Sequence, residues 1–597
     1  MTMGTDQSEV LKYIEKYAGI FNSVAEDIVK RASIGDKQSS PFLGDLEKLQ
    51  ALLSGETKID ANKLFTQQVE YMKKQSELWQ MASKAMMVND GSPNGSNEAK
   101  SDIKKDRRFA HQDWESNPVF NYIKESYLIN ADMLSNMVNA IEFSDPKSAE
   151  QAKFFTRQYV NSLSPTNYVL TNPEVCEEIV KTEGQSILKG IKAYLEDLEK
   201  SPLEAFKMRQ SDANAFELGK NLAYTPGKVV FRNELIELLH YEPKAKTAHA
   251  VATLVIPPFI NKYYVMDLEE KKSLVGGLLD SGHSVFMISW VNPDASLSDN
   301  DFFDYMRKGP ISAIDVVKEI TKKDKVNLTG FCVGGTLAAV TSAYLRAKGD
   351  ESINSLTLLT TLLDFSQPGE LANYFTEDML NMIEQNADIK GVFDGRIIAM
   401  SFSLLRENSL FWSFFINNYL KGKDPAPFDI LYWNSDSTNI PAACFKQYLK
   451  LTYWENTLRN PGAIQLDGVD IDFSNIDMPT YFLCTVADHI VLWQGAYEGT
   501  KLLGGDTRFV LAGSGHIAGV INPTKGGKYP HWTNNNLPET PEEWLEGASE
   551  QAGSWWVDWH NWLKPMSGRK VTAPIPGQSE YLPALGDAPG TYVRKVL

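Results

Sequence analysis

An α/β architecture is predicted for the larger, C-terminal part of this 597-residue chain, preceded by an all-helical region. Three observations carry that expectation. No β-rich run occurs before about residue 228; beyond it, short apolar runs alternate with helix-compatible stretches; and one of those runs turns sharply through Gly330-Phe331-Cys332-Val333-Gly334-Gly335 into a helix.

The helical region comes first. From Leu11 to about Lys84 apolar residues recur at helical spacing, among them Leu64, Phe65, Val69, Met72, Leu78, Trp79, Ala82 and Met86. Residues 88–108 concentrate Gly, Ser, Asn, Pro and charge, the composition of a mobile linker. Helical patterning resumes after Pro118 in YLINADMLSNMVNAI and GQSILKGIKAYLEDLEK. We expect an all-α domain over 1–215.

The strands follow. VVFRNELIELLHY, TLVIPPF, SVFMISW, VNLTGFC, SLTLLTTLLD, PTYFLCTVAD and TRFVLAGSGH are short, β-branched or aromatic, and separated by helical patterns. Such alternation implies a mostly parallel sheet covered by helices over 216–597. The interval 365–453 breaks the alternation with aromatic-rich amphipathic helices between two core strands, and reads as a cap inserted over the sheet edge.

Composition narrows the function classes. Lys plus Arg number 59 against 76 for Asp plus Glu, and a net charge of -17 argues against a general affinity for nucleic-acid phosphates. Cys176, Cys332, Cys444 and Cys484 show no CxxC spacing, so neither a disulfide framework nor a zinc site is expected, and a reducing cytoplasm is. The first thirty residues lack the apolar stretch of a signal peptide, and no window approaches the length of a membrane span. The histidines and cysteines lack metal-ligand spacing, and GFCVGG has neither a Walker lysine nor a dinucleotide fingerprint.

The turn at Cys332 carries the chemistry. A strand, a Gly-flanked nucleophile and a helix make a nucleophile elbow with Cys in place of Ser, the mark of the α/β-hydrolase fold. Glycines at 330 and 334 are needed because side chains there would collide in so tight a turn. A helix N-terminus lowers the thiol pKa and aims backbone N–H groups at the site, so the Val333 amide is a candidate oxyanion donor. The competing reading is a buried cysteine in a Gly-rich turn.

That fold places its acid after a later strand and its histidine after the last. PTYFLCTVAD delivers Asp488 and TRFVLAGSGH delivers His516, in that order. Taken singly, Asp488 is equally a turn former or helix cap, and His516 a structural residue; with the elbow they form a catalytic set. His489 is a neighbour kept for packing or hydrogen bonding. The second oxyanion donor belongs in the loop after TLVIPPF, where we assign Ile260, a rigid Pro-Pro turn being the other reading. Asp267 and Asp364 support the site or cap helices, the structural role being preferred for Asp364.

These residues resemble one family. GFCVGG matches the G-x-C-x-G-G box of polyhydroxyalkanoate synthases, and PPFINKYYVMDL, SWVNPDAS, TTLLDFSQPGEL, SFSLLRENSLFW, WNSDSTNIP, ADHIVLWQ and SGHIAGVINP are similar to segments of that family from about Arg107 onward. The first hundred residues correspond least. Length and the helical N-terminal domain suggest class I.

The resemblance implies that Cys332 carries the acyl group, that His516 activates it, and that Asp488 orients His516 or helps activate an acceptor hydroxyl. It implies (R)-3-hydroxyacyl-coenzyme A substrates, with coenzyme A a product and no separate cofactor. A homodimer at the surface of the cytoplasmic polyester granule, alongside phasin-type granule proteins, is also implied. Arg406, Trp433 and Asp436 match family positions, as site-lining or structural residues. The closest rival is a thioesterase or lactone hydrolase with the same triad, which predicts free acid. A non-catalytic granule scaffold predicts granule binding that survives Cys332→Ala.

Overall fold

The computed structural model describes residues 58–59, 61–87, 106–143, 145–201, 206–579 and 582–597. The helical reading of residues 11–57 and the linker reading of residues 88–105 lie outside the described residues; at its end, over residues 106–108, the linker reading is corrected, because Arg107–Phe109 form a 3-10 turn capped by Asp106 and Arg108 is anchored on Tyr127 and Asn161. The chain divides into two compact units. One takes in the chain up to Gln210 together with Phe402–Ala426; the other is Ser211–Ser401 with Pro427–Leu597.

The first unit is helical: α1 (Ala61–Met87), α2 (Pro118–Asn139), α3 (Pro146–Ser162), α4 (Pro173–Lys181) and α5 (Gln185–Glu199). Start signals are local, because Asn117, Asp145 and Asn172 each cap a helix whose first residue is proline. The two-residue pairing of Lys58–Ile59 with Ile141–Glu142 is too short to leave a period in the sequence. On α1 the apolar spacing is real, yet only part of it is buried. Leu78 and Ala82 face inward, while Phe65 is 71% and Trp79 64% exposed, with Val69 and Met72 also in the open.

Phe402–Ala426 comes from inside the interval assigned to a cap and packs within the helical unit. Gln158 donates to the Leu404 carbonyl at 2.7 Å and Asn161 to Glu407 at 2.6 Å. The Tyr419 hydroxyl donates to Asp197, which also takes Arg209. Gly190, midway along α5, is glycine for this reason: a Cβ there would lie 1.9 Å from the Tyr419 carbonyl oxygen.

The second unit is built on an 11-stranded sheet. Its strands are β1 (Gly227–Arg232), β2 (Ile236–Tyr241), β3 (Thr253–Ile256), β4 (Val285–Trp290), β5 (Val326–Phe331), β6 (Ile353–Leu359), β7 (Thr480–Thr485), β8 (Thr507–Ala512), β9 (His531–Thr533), β10 (Ser549–Gln551) and β11 (Gly586–Asp587), in the spatial order β10-β9-β8-β7-β6-β5-β3-β4-β2-β1-β11. From β8 to β4 all pairings are parallel, and the flanking strands are antiparallel. This is the α/β-hydrolase fold.

The parallel strands are buried on both faces, which is why they read as near-continuous apolar runs. Leu254, Ile256, Leu328, Leu358 and Phe482 face one core. Val255, Met287, Phe331, Leu483 and Val510 face the other, with Trp555, Trp556 and Trp559. Helix α6 (Val333–Ala347) covers the first core, its small residues letting it lie close to the strands.

Candidate active site

The site forms where β5 gives way to α6. Cys332 sits between them with φ 54° and ψ −126°, a region a non-glycine residue occupies only when its surroundings impose it. Those surroundings are visible. The Cys332 N–H donates to the Leu359 carbonyl at 2.9 Å, while its own carbonyl accepts from Gly335 and Thr336 N–H. A Cβ on Gly330 would stand 2.4 Å from the Gly335 Cα, and one on Gly334 would stand 2.4 Å from the Ile256 carbonyl oxygen. Gly335 is a third obligatory glycine that the sequence reading did not single out, since a Cβ there would meet the Thr361 hydroxyl at 1.9 Å.

Asp488 and His516 are brought together by the loops after β7 and β8. The loops are stitched by Val486 N–H to the Ala512 carbonyl and Ala487 N–H to the Ser514 carbonyl, each at 2.9 Å. One Asp488 oxygen accepts the Ile490 and Val491 N–H groups, both at 2.9 Å. That leaves the other for the His516 ring, whose Nδ1 lies 2.7 Å away. The bond fixes the tautomer and leaves Nε2 for Cys332.

The Phe331 ring, 5.3 Å from the imidazole between centroids, supports it from below. Burial opposes an imidazolium here, but the Asp488 carboxylate and the Cys332 thiol outweigh it. His516 is raised from 6.5 to about 10, with both a charge and a hydrogen bond contributed by Cys332. The three residues are therefore electrostatically coupled. His489, half-buried in the same loop as Asp488, is not the ring that carries this bond.

Val333 opens α6, and its N–H has no intrahelical acceptor, as for any first-turn residue. Ile260 lies in the turn after β3, half-buried against the core. The same turn passes beneath the elbow, as the closeness of Gly334 to Ile256 and Pro257 shows. It is held from several sides. The Trp290 indole donates to the Pro257 carbonyl at 2.9 Å, and Asn261 bridges to Ser437. Trp433, on α7 (Asp429–Ser435), is 6% exposed and donates its indole N–H to the Lys262 carbonyl at 2.6 Å. Asp436 accepts from the Tyr264 hydroxyl at 2.8 Å.

Trp433 and Asp436 thus grip the turn bearing Ile260. Arg406 is exposed and belongs to the segment packed within the helical unit. Asp267 is fully buried, accepting from the Thr225 and Ser273 hydroxyls at 2.6 Å, and Asp364 takes Asn456 and Arg459; both pin loops.

Two site residues escaped the sequence reading. Helix α8 (Ala442–Leu449) runs into a π turn, Lys450–Trp454, in which the Glu455 N–H bonds the Lys450 carbonyl five residues back. Residues five apart on an α-helix point about 140° away from each other, whereas a π turn stacks them. Tyr448 and Tyr453 consequently meet, ring centroids 6.2 Å apart, with Phe365 against both and Phe259 against Tyr448. Burial pushes both phenols up from their ordinary value, and the charge of Cys332 adds to the shift in each. Phe259 adjoins Ile260 and Phe365 follows β6, so this aromatic cluster joins the turn after β3 to the end of β6. No periodicity in the sequence announces a π turn.

Three other histidines form a separate group. His249, His283 and His560 cluster at the amino ends of β3 and β4, the opposite edge of the sheet from Cys332, and burial lowers His283 to about 3 and His560 to about 4. Among the described residues no group of three or more His, Cys, Asp or Glu is placed to hold a metal ion.

Comparison with known proteins agrees with this architecture. Residues 105–277 match the model described as the poly-beta-hydroxybutyrate polymerase (PhaC) N-terminus, and residues 264–523 the alpha/beta hydrolase fold. The chain is 42% identical over 534 residues to the poly(3-hydroxyalkanoate) polymerase subunit PhaC of Cupriavidus necator, covering 88% of this chain and 87% of that one. It is 43% identical over 490 residues to the poly(3-hydroxyalkanoate) polymerase of Methylorubrum extorquens, covering 82% and 80%. The PhaC subunit of Rhizobium etli matches at 36% over 564 residues, 94% and 88%. With such identity spread over most of its length, the chain belongs to the poly(3-hydroxyalkanoate) polymerase family.

Proposed function

We propose that the chain polymerises (R)-3-hydroxyacyl-coenzyme A thioesters to polyester, releasing coenzyme A, through an acyl group carried on Cys332. The observation that carries this reading is the coupling of the strained Cys332 apex to a His516 ring held by Asp488. The Cys332 sulfur attacks the thioester carbonyl, and His516 gives its proton to the departing coenzyme A sulfur. One thioester replaces another, so the acyl group stays activated at little free-energy cost.

Acylation also removes the thiol that helped to raise His516, so the ring becomes a weaker base suited to the next step. The hydroxyl of another acyl unit then attacks acyl-Cys332. His516 takes its proton, an oxoester forms and the sulfur is released. The Val333 and Ile260 amides are the donors for the oxyanion in both steps. Water would end the chain as free acid; the aromatic enclosure of Phe259, Phe365, Tyr448 and Tyr453 opposes its entry. No group beyond coenzyme A, part of the substrate, enters the scheme.

Residence at the surface of the polymer, probed by the exposed Phe65, Val69, Met72 and Trp79 of α1, completes the reading. Among the described residues no helix is long and apolar enough to cross a membrane. The test is coenzyme A release from (R)-3-hydroxybutyryl-coenzyme A by wild type and Cys332→Ala, with products sorted into free acid and insoluble polyester. Polyester from wild type alone supports the proposal. Free acid alone moves the chain to the thioesterases, and unchanged release by Cys332→Ala removes Cys332 as nucleophile.

A further inference from the structure

Two residues beyond Ile260 stands a lysine that the chemistry above does not use. Lys262 is 2% exposed, so its ammonium has left water, an arrangement that is costly unless partners replace the solvent. Its Nζ donates to the main-chain carbonyl of Lys595 at 2.7 Å. Burial and the Lys595 ammonium oppose its charge while Asp436 favours it, and the balance lies below the ordinary lysine value. A methionine would fill such a site with less cost. The lysine therefore points to a directional need.

The carbonyl it reaches belongs to a tail that is itself anchored. β11 pairs with β1, and the Thr591 and Tyr592 N–H groups donate to Glu237 at 2.8 and 3.0 Å. The Tyr592 hydroxyl bonds the Asn233 carbonyl, Val593 is buried, and Lys595 pairs with Asp294. The Lys595 carbonyl also accepts from Asn292, whose own side-chain oxygen accepts from Asn439 N–H. Lys262 is thus held at both ends: its side chain by the tail, its main-chain carbonyl by Trp433.

We propose that Lys262 is a positioning residue for acyl transfer, locking the C-terminal tail against the turn that presents the Ile260 amide. The tail then completes the oxyanion geometry without touching substrate. This rests on Ile260 as an oxyanion donor and Cys332 as nucleophile. The physical ground is that a donor works only within a few tenths of an ångström of its acceptor, so slack in the turn is felt in the chemical step and not in substrate binding.

Two reactions of the same sulfur separate this role from a general loss of structure. Acyl transfer passes through an oxyanion; alkylation of Cys332 by iodoacetamide does not. Lys262→Met is expected to lower kcat for coenzyme A release about tenfold or more, with KM and the alkylation rate within about twofold of wild type. Lys262→Arg restores much of the loss. A chain ended after Arg594, which keeps Lys262 and removes its acceptor, repeats the pattern, and combining it with Lys262→Met adds nothing further. That chain decides the matter if Lys262→Met does not fold.

Unchanged kcat, or alkylation falling in step with kcat, or additive losses in the combined variant, overturns the proposal alone. Wild-type turnover that survives complete alkylation of Cys332 overturns the nucleophile reading, and this proposal with it.

Discussion

The elbow at Cys332 and the turn at Ile260 lie close together but are fixed in different ways. The elbow is shaped by its own backbone: three glycines within six residues, each with a neighbour that would strike a Cβ. The turn is shaped from a distance, by Trp290, Trp433, Ser437 and, through Lys262, Lys595. A site can therefore combine a part that is rigid by local sterics with a part that is only as rigid as the long-range contacts around it. Substitutions at the first should be abrupt in effect, and substitutions around the second graded.

The largest effect is expected at the elbow. Gly334→Ala puts a methyl group against two carbonyl oxygens of the chain itself, so no rotamer change relieves it. Coenzyme A release should fall by about a hundredfold or more, in keeping with the severe cost of overpacking at a strained backbone. Circular dichroism and activity measured together would show whether the loss is of the site or of the whole fold; near-normal activity would mean the elbow is not so constrained.

Asp488→Asn comes next. Asparagine can keep the bonds from Ile490 and Val491 N–H while losing the charge, so the variant isolates the carboxylate. A drop of about 10² to 10⁴ in kcat is expected from the disturbed His516. The variant also has a pH signature. His516 is raised in the folded chain from 6.5 to about 10, so its contribution to stability is full below pH 6.5 and is lost as pH climbs through about 10. The gap in Tm between wild type and Asp488→Asn should be widest below pH 6.5 and close as pH approaches about 10. A gap that is flat with pH would show that the pair is not charged in the resting protein.

Much of this contrast was legible in the sequence and much was not. The parallel strands, the elbow, Asp488 and His516 could be read because each is a short stretch with its own signature. The edge strands β9, β10 and β11 are two or three residues long and carry no period. The departure of Phe402–Ala426 from the expected cap rests on partners such as Gln158, Asn161 and Asp197, more than two hundred residues away in the chain. The exposure of one apolar face of α1 was not legible, because helical spacing reports a face and not what covers it.

The smallest predicted effect belongs to the aromatic enclosure. Tyr453→Phe keeps the ring and its packing on Phe365 and Phe375 and removes one hydroxyl that feels the charge of Cys332. A fall in kcat of about fivefold is expected, the scale of one ordinary hydrogen bond. A rise in the share of free acid among the products would further mark the enclosure as the barrier to water, while a hundredfold loss would give Tyr453 a larger role than its position supports.

The central claim is that an acyl group rides on Cys332. Mass spectrometry of the protein quenched in acid shortly after mixing with (R)-3-hydroxybutyryl-coenzyme A tests it most directly. The account predicts added hydroxyacyl mass on the peptide containing Cys332, removable by hydroxylamine and absent from Cys332→Ala. Coenzyme A release with no such adduct, or an adduct on another residue, would contradict it.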